Sequence, residues 1–320
     1  MKKSKFWLCL GLVLLVAGIA FASVGKVMGA SLNMRFDWNS FKIETASKNF
    51  VTETVKVSDF SRLDLTTSTI DVTVKPGDEY AVSYHVNEDF IPEITNNNGT
   101  LTVKTKKQTG FMFFNFWNST DEDEYIIITV PENKSRSLDI ESSTADIVIQ
   151  DLDFSGKIET STGDITLSNL KADAALELQV STGDIYIKNC KLDSLYTEAS
   201  TGQVNISNSE IKGKYQAETS TGDITLNSST VDSVLFNGST SDIKFQSTVC
   251  KNINIETSTG DISLGLKGNK DDYSIKFSTS TGDMIIDGDE IDGKHFEASR
   301  GSNMITIDTS TGDIDISFTN

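Results

Sequence analysis

Apolar and polar positions alternate with a period of two over most of the chain. Ile165 and Leu167, Ile185 and Ile187, Val204 and Ile206, and Ile224 and Leu226 are each separated by one polar residue. That spacing is the pattern of a half-buried β-strand. A second alternating run precedes each of these: Leu176, Leu178 and Val180, for example, bracket Glu177 and Gln179. Between the two runs stands Ser-Thr-Gly-Asp, verbatim at 161–164, 181–184, 220–223, 258–261, 280–283 and 310–313. Degenerate copies occur at 68–71, 143–146, 200–203 and 239–242. Each unit reads strand, corner, strand, corner.

From residue 146 to residue 261 the fourth position of the motif recurs at steps of 18, 20, 19, 20, 19 and 19. A fixed period near 20 marks a stacked repeat whose units cannot bury their apolar faces alone. Two strands and two corners per unit make one rung of a coil, with rungs about 4.8 Å apart. At the first corner, glycine supplies a positive φ for a type II turn and aspartate bonds nearby backbone amides. Ile70, Ala145 and Ser241 replace that glycine in three copies, which points to type I corners there. The second corner, five residues after the motif, holds Asp151, Asn169, Asn189, Asn208, Ser228 and Ser247, all turn-forming types. The expected fold is all-β: a single-stranded β-solenoid of ~19–20-residue rungs with a β cap at each end.

The regular stack is expected over 141–287, with 60–140 as a less periodic amino-terminal cap and 31–59 as a linker. Late in the chain the steps lengthen to 22 and then 30, around an insert at 267–272 and a ragged Ser299-Arg-Gly-Ser302. Solenoids need atypical terminal units to shield the open ends of the stack, so 288–320 is read as the carboxyl-terminal cap.

Composition adds location. Net charge is −18, from 46 acidic against 28 basic residues, which excludes nucleic acid as a partner because that needs a basic footprint. Residues 6–25 form an uncharged apolar run behind Lys2, Lys3 and Lys5. At ~1.5 Å per residue it spans about 30 Å, the thickness of a bilayer core. The lysines hold the amino end in the cytoplasm, so the bulk of the chain is expected outside, tethered by one transmembrane helix. Ala20-Phe21-Ala22 keeps a cleaved signal peptide, and hence a secreted protein, as the alternative. Cys190 and Cys250 stand three rungs apart, about 14 Å, beyond the ~7 Å limit for a disulfide.

The Lys-rich start, the apolar span, Leu-Asp-Leu-Thr-Thr-Ser-Thr-Ile-Asp-Val at 63–72, Ile-Thr-Val-Pro at 128–131 and the Ser-Thr-Gly-Asp-Ile ladder carry a resemblance. Together they resemble the bacterial β-strand-repeat proteins called putative adhesins, in their membrane-anchored Gram-positive form. The resemblance covers nearly the whole chain. It implies a solenoid outside the membrane and, for some relatives, a place among cell-envelope stress genes. It implies no catalytic residues and no cofactor.

The candidate chemistry is thin beside this architecture. Gly163, Asp164, Gly183, Asp184, Gly222, Asp223, Gly260, Asp261, Gly282 and Asp283 read as structural turn residues. Their aspartates would form a ladder of like charges about 5 Å apart, which weak cation binding would relieve. Turn capping is the simpler reading, and no metal site is assigned. The Ser and Thr columns read as a hydroxyl ladder bonding the backbone of adjacent rungs, with a narrow glycan- or ice-binding strip as the rival. A carbohydrate-active enzyme would need a unique carboxylate pair or a nearby base, whereas the two histidines, His85 and His295, lie far apart in sequence. One stretch escapes the repeat: Phe111, Phe113, Phe114, Phe116 and Trp117, between Lys106-Lys107 and the acidic run 121–124. It reads as a hydrophobic plug of the amino-terminal cap or as an exposed contact for lipid or a partner. The expected partners are the membrane through residues 6–25 and an envelope protein or glycan.

Overall fold

The structure, a computed structural model, describes residues 34–37, 42–45, 49–106, 111–112, 123–131 and 134–319, the first two segments and 111–112 by their strand pairing only. The apolar run 6–25, Phe113, Phe114, Phe116 and Trp117 lie outside the described residues. Among the described residues no helix is long and apolar enough to cross a membrane. The chain divides into two compact units, one of Met1–Phe50, Asn87–Asp89 and Lys107–Asp123, the other of Val51–Val86, Phe90–Lys106 and Glu124–Asn320. In the smaller unit Lys42–Thr45, Met34–Asp37 and Phe111–Met112 form an antiparallel sheet in that order. The segment expected to be a linker thus contains strands.

The larger unit is a stack of rungs. Each rung gives one strand to each of two parallel sheets, on either side of the Ser-Thr-Gly-Asp corner. In the pre-corner sheet Phe154–Thr162 pairs in parallel with Lys171–Thr182, and that strand with Lys191–Thr201. In the post-corner sheet Ile165–Ser168 pairs with Ile185–Lys188, and that strand with Val204–Ser207. Inward residues of every rung stack on their counterparts: Ile165, Ile185, Val204, Ile224, Ile243 and Ile262 form one buried column. One continuous apolar core runs through the unit, and its burial is the main stabilising term.

The uneven steps of 19 and 20 have a local cause. Where the pre-corner strand bends, Ala172 and Leu176 are separated by one more residue than Leu192 and Leu195, and the pairing shifts register there. The same shift recurs between Ile211 and Lys214. The bend absorbs the extra residue as a bulge, so both corners keep their alignment.

At both ends the spatial order of rungs departs from the order in sequence. Arg62–Thr67 and Asp71–Pro76 lie between the rung of Arg136–Gln150 and an outer rung made of Thr100–Lys104 and Tyr125–Val130. At the other end Asn303–Thr311 and Ile314–Thr319 lie between Ile243–Lys267 and the outermost rung, Tyr273–Ile286. Residues 303–319 are therefore an interior rung, so of the expected cap 288–320 only the part before residue 303 lies at the end of the stack. The cover at that end is two short antiparallel strands, Asp289–Glu290 and His295–Ala298. Ala81–Asn87 and Glu93–Asn97 serve likewise at the amino-terminal end. Antiparallel strands turn the open parallel edge into a short one, which limits edge-to-edge association. Arg136, 5 % exposed, fastens the amino-terminal end. Its guanidinium lies 5.6 Å from the Phe60 ring and 5.7 Å from that of Tyr80, and it donates to Phe60 O and Lys134 O.

Candidate functional site

The repeated corner is the first place to look for chemistry, because it sets serine, threonine and aspartate in columns. Gly163, Gly183, Gly260 and Gly282 have φ between 121° and 146°, a region that disfavours side chains. Gly222 does not share that φ, which corrects the turn-type reading at that position. There the constraint is distance: a Cβ would lie 1.7 Å from Gly202 O of the preceding rung. Where the glycine is absent, Ile70, Ala145 and Ser241 turn their side chains inward and are buried.

The aspartate column has a defined structural role. Asp164 Oδ1 accepts the backbone N–H of Asp184 at 2.8 Å, and Asp146 Oδ1 accepts that of Asp164 at 2.8 Å. The ladder continues from Asp242 to Asp261, then to Asp313 and back to Asp283, at 2.8–2.9 Å, following the spatial order of rungs. Each carboxylate is thus held by a backbone donor of the next rung. Among the described residues the ladder breaks at Gln203, whose amide is received by Asp184 at 2.8 Å and whose own longer side chain receives none from Asp223. No three His, Cys, Asp or Glu side chains among the described residues group as metal ligands.

The motif serines and threonines are exposed at Ser161, Thr162, Ser181, Thr182, Ser220 and Thr221. The hydroxyl bonding expected of them falls instead to the residue before the serine. Thr160, Thr257, Thr279 and Thr309 are buried and donate to the carbonyl two residues on at 2.9–3.4 Å. The second corner carries its own ladder: Asn169 Nδ2 donates to Asp151 Oδ1 and Asn189 Nδ2 to Asn169 Oδ1. Asp151, Asn169, Asn189, Asn208, Ser228 and Ser247 all have φ of 49–57°, the left-handed region that asparagine and aspartate enter most readily.

His85 lies on the strand that covers the amino-terminal end, 2.7 Å from Thr52 Oγ1 and stacked on Tyr125. His295 lies on the strand that covers the opposite end, 4.0 Å from Glu297. The two cannot cooperate in one acid–base step. Phe111 belongs to the smaller unit, on a strand paired with Met34–Asp37.

With the corners accounted for, the outward faces of the two sheets remain, and they differ. The pre-corner face is acidic and bonded within itself. Lys157 reaches Glu159 at 2.9 Å and Glu177 at 3.6 Å, which pushes the lysine pKa up, the Glu159 hydrogen bond being the larger cause. Glu198 accepts from Tyr196 and Gln179, and Glu218 from Gln216. On the post-corner face Tyr186 stands out, 38 % exposed, its hydroxyl donating to Asp184 Oδ2 at 2.7 Å. That bond, with burial second, pushes the Tyr186 pKa up to about 12.

A family described as Toastrack DUF4097 matches residues 60–317. The chain belongs to this family. The match begins at Phe60, immediately before the first rung, and ends within the last strand of the interior rung 303–319. Among curated proteins none matches this Toastrack chain. Solved structures similar to it include an adhesin, named as putative, from Bacteroides fragilis NCTC 9343, at 15 % identity over 84 % of this chain and 98 % of that one, TM-score 0.45. Another so named, from Parabacteroides merdae ATCC 43184, is 12 % identical over 86 % of this chain and 98 % of that one, TM-score 0.38. A protein titled a putative lipid binding protein, from Parabacteroides distasonis ATCC 8503, is 17 % identical over 86 % and 98 %, TM-score 0.39. Such distant likenesses carry no statement of function.

Proposed function

We propose that this Toastrack protein is a non-enzymatic interaction module of the cell envelope, a β-solenoid held outside the membrane by an uncleaved helix over residues 6–25. The observation that carries the reading is the use of the corner groups. The carboxylates of the interior rungs, and buried hydroxyls such as those of Thr160 and Thr279, are bonded to the backbone of neighbouring residues and rungs, while among the described residues Thr219 Oγ1 and Ser241 Oγ are buried without a partner. What the stack offers a partner is extended, rigid sheet surface. Lys2, Lys3 and Lys5 before the apolar run support the orientation. The small-x-small Ala20-Phe21-Ala22 supports a second reading, a secreted adhesion module of the same kind.

Protease added to intact protoplasts tests the topology. The expected result is loss of the stack with a small membrane-bound fragment left behind. A full-length chain that stays protected refutes the orientation, and a chain recovered only from the medium favours the secreted form.

A further inference from the structure

The outward positions of the post-corner sheet have a composition at odds with the rest of the chain. In spatial order one column reads Thr166, Tyr186, Asn205, Thr225, Lys244 and Ser263. The column beside it reads Ser168, Lys188, Ser207, Asn227 and Gln246. Over these rungs neither column holds a carboxylate, although the chain holds 46 acidic residues against 28 basic ones; the next member of the first column, beyond Ser263, is Asp315. The same rungs place Glu159, Glu177, Glu198, Glu218 and Glu256 outward on the other sheet. The excess negative charge is thus kept off this stretch of the face, which carries Lys188 and Lys244.

The two faces differ in hydrogen bonding as well. On the acidic face the polar groups bond one another, as Lys157, Gln179, Tyr196 and Gln216 show. On the carboxylate-free stretch, Thr166, Asn205, Thr225 and Gln246 bond no other side chain among the described residues, and Lys188 and Lys244 form no ion pair there. These hydroxyl, amide and ammonium groups recur on a backbone that repeats every ~4.8 Å. They supply both donors and acceptors. Tyr186 sits among them with its ring fixed by Asp184, and a held aromatic ring offers contact area at small entropic cost.

We infer that this face, from Thr166 to Ser263, binds an uncharged glycan strand laid along the stack. A polymer of sugars presents hydroxyl and amide groups at regular spacing and an apolar ring face, which matches the array and Tyr186. Lys188 and Lys244 disfavour a cationic partner, which the glutamates of the other face would attract. An anionic polymer would meet the field of a chain of net charge −18. The inference rests on the envelope reading above and names the partner class of that surface.

The test uses the full chain in detergent and immobilised hexamers of β-1,4-linked N-acetylglucosamine and of β-1,4-linked glucose, with a poly(glycerol phosphate) as the anionic polymer. Binding to at least one hexamer is expected, weakened tenfold or more in both Tyr186→Ala and Thr225→Glu. Gln216→Ala, on the acidic face, is expected to leave it unchanged. Melting curves confirm that each variant is folded. Since Tyr186 is partly exposed, its variant keeps the test decisive if Thr225→Glu fails to fold. No binding to either hexamer, binding to the anionic polymer alone, or an equal loss in Gln216→Ala overturns the inference. The protoplast experiment fails or succeeds independently of these measurements, so loss of the glycan claim and loss of the topology are distinguishable.

Discussion

Replacing Gly222 by alanine separates two roles that glycine plays in this stack. A methyl group there lies 1.7 Å from Gly202 O and 2.8 Å from Gly202 C, whereas ordinary contact begins at 3.4 Å. Both obstacles are backbone, so no side chain can rotate away. Relief requires parting the two rungs at the corner, where Gly202 N–H donates to Thr221 O at 3.2 Å. Losing that bond costs about 0.5–1.5 kcal/mol and the overpacking about 1–3 kcal/mol, so the sum is about 1.5–4.5 kcal/mol. For a unit of this size that lowers the melting temperature by at least about 3 °C. Gly288 is the contrasting case, with φ of 83° and nothing within 4 Å of an added Cβ. Asparagine tolerates that conformation, so Gly288→Asn should melt close to the parent while Gly222→Asn should be at least as damaged as Gly222→Ala. Thermal melts with hydrogen exchange over rungs 191–246 give both quantities. A Gly222→Ala protein that melts within about 1 °C of the parent refutes the close-approach argument, as does rescue by asparagine.

Three further outcomes are expected. Strands one rung apart bring Cα atoms about 4.8 Å together, inside the disulfide range; Thr259→Cys with Thr311→Cys should therefore cross-link, as those residues are paired, and Thr259→Cys with Thr281→Cys should not. Peptide mapping that finds the second link would restore the sequential order of rungs. Gln203→Asp should supply the missing acceptor for the Asp223 amide and stabilise the stack by about 0.5–1.5 kcal/mol; a lower urea midpoint would mean that like-charge repulsion along the column wins. Burial pushes the Cys250 thiol up to about 12 and raises Cys190 and Tyr215 as well. These groups ionise more readily in the unfolded chain, so their contribution is intact below pH ~8.5, the ordinary thiol value, and is lost as pH rises towards 12. Urea midpoints should fall between pH 8 and 11, and less steeply in Cys250→Val; a flat profile would contradict the burial.

The sequence by itself determined the rung. The period-two alternation states which side chains face the core, and residues such as Ile165 and Leu167 are buried as that alternation requires, because a strand has two faces and one must be apolar. The second corner was legible from Asn169 and Asn189, since a short polar side chain is what a left-handed residue needs. The role of the aspartates was half legible: a turn residue could be named, but its acceptor bond runs to the next rung, and no local pattern specifies that neighbour. Only the tertiary structure decided which rung stacks on which. The strands at 273–281 and 303–311 carry the same motif and the same alternation, so either fits the exposed edge of 252–259 by pattern alone. The choice of 303–311 depends on how the connection through 287–302 folds back over the outermost rung, a long-range property. The polar outward face of the post-corner sheet has the same origin. Thr166, Asn205 and Thr225 are unremarkable one at a time in sequence, and they become a surface only when parallel pairing sets residues about 20 apart side by side.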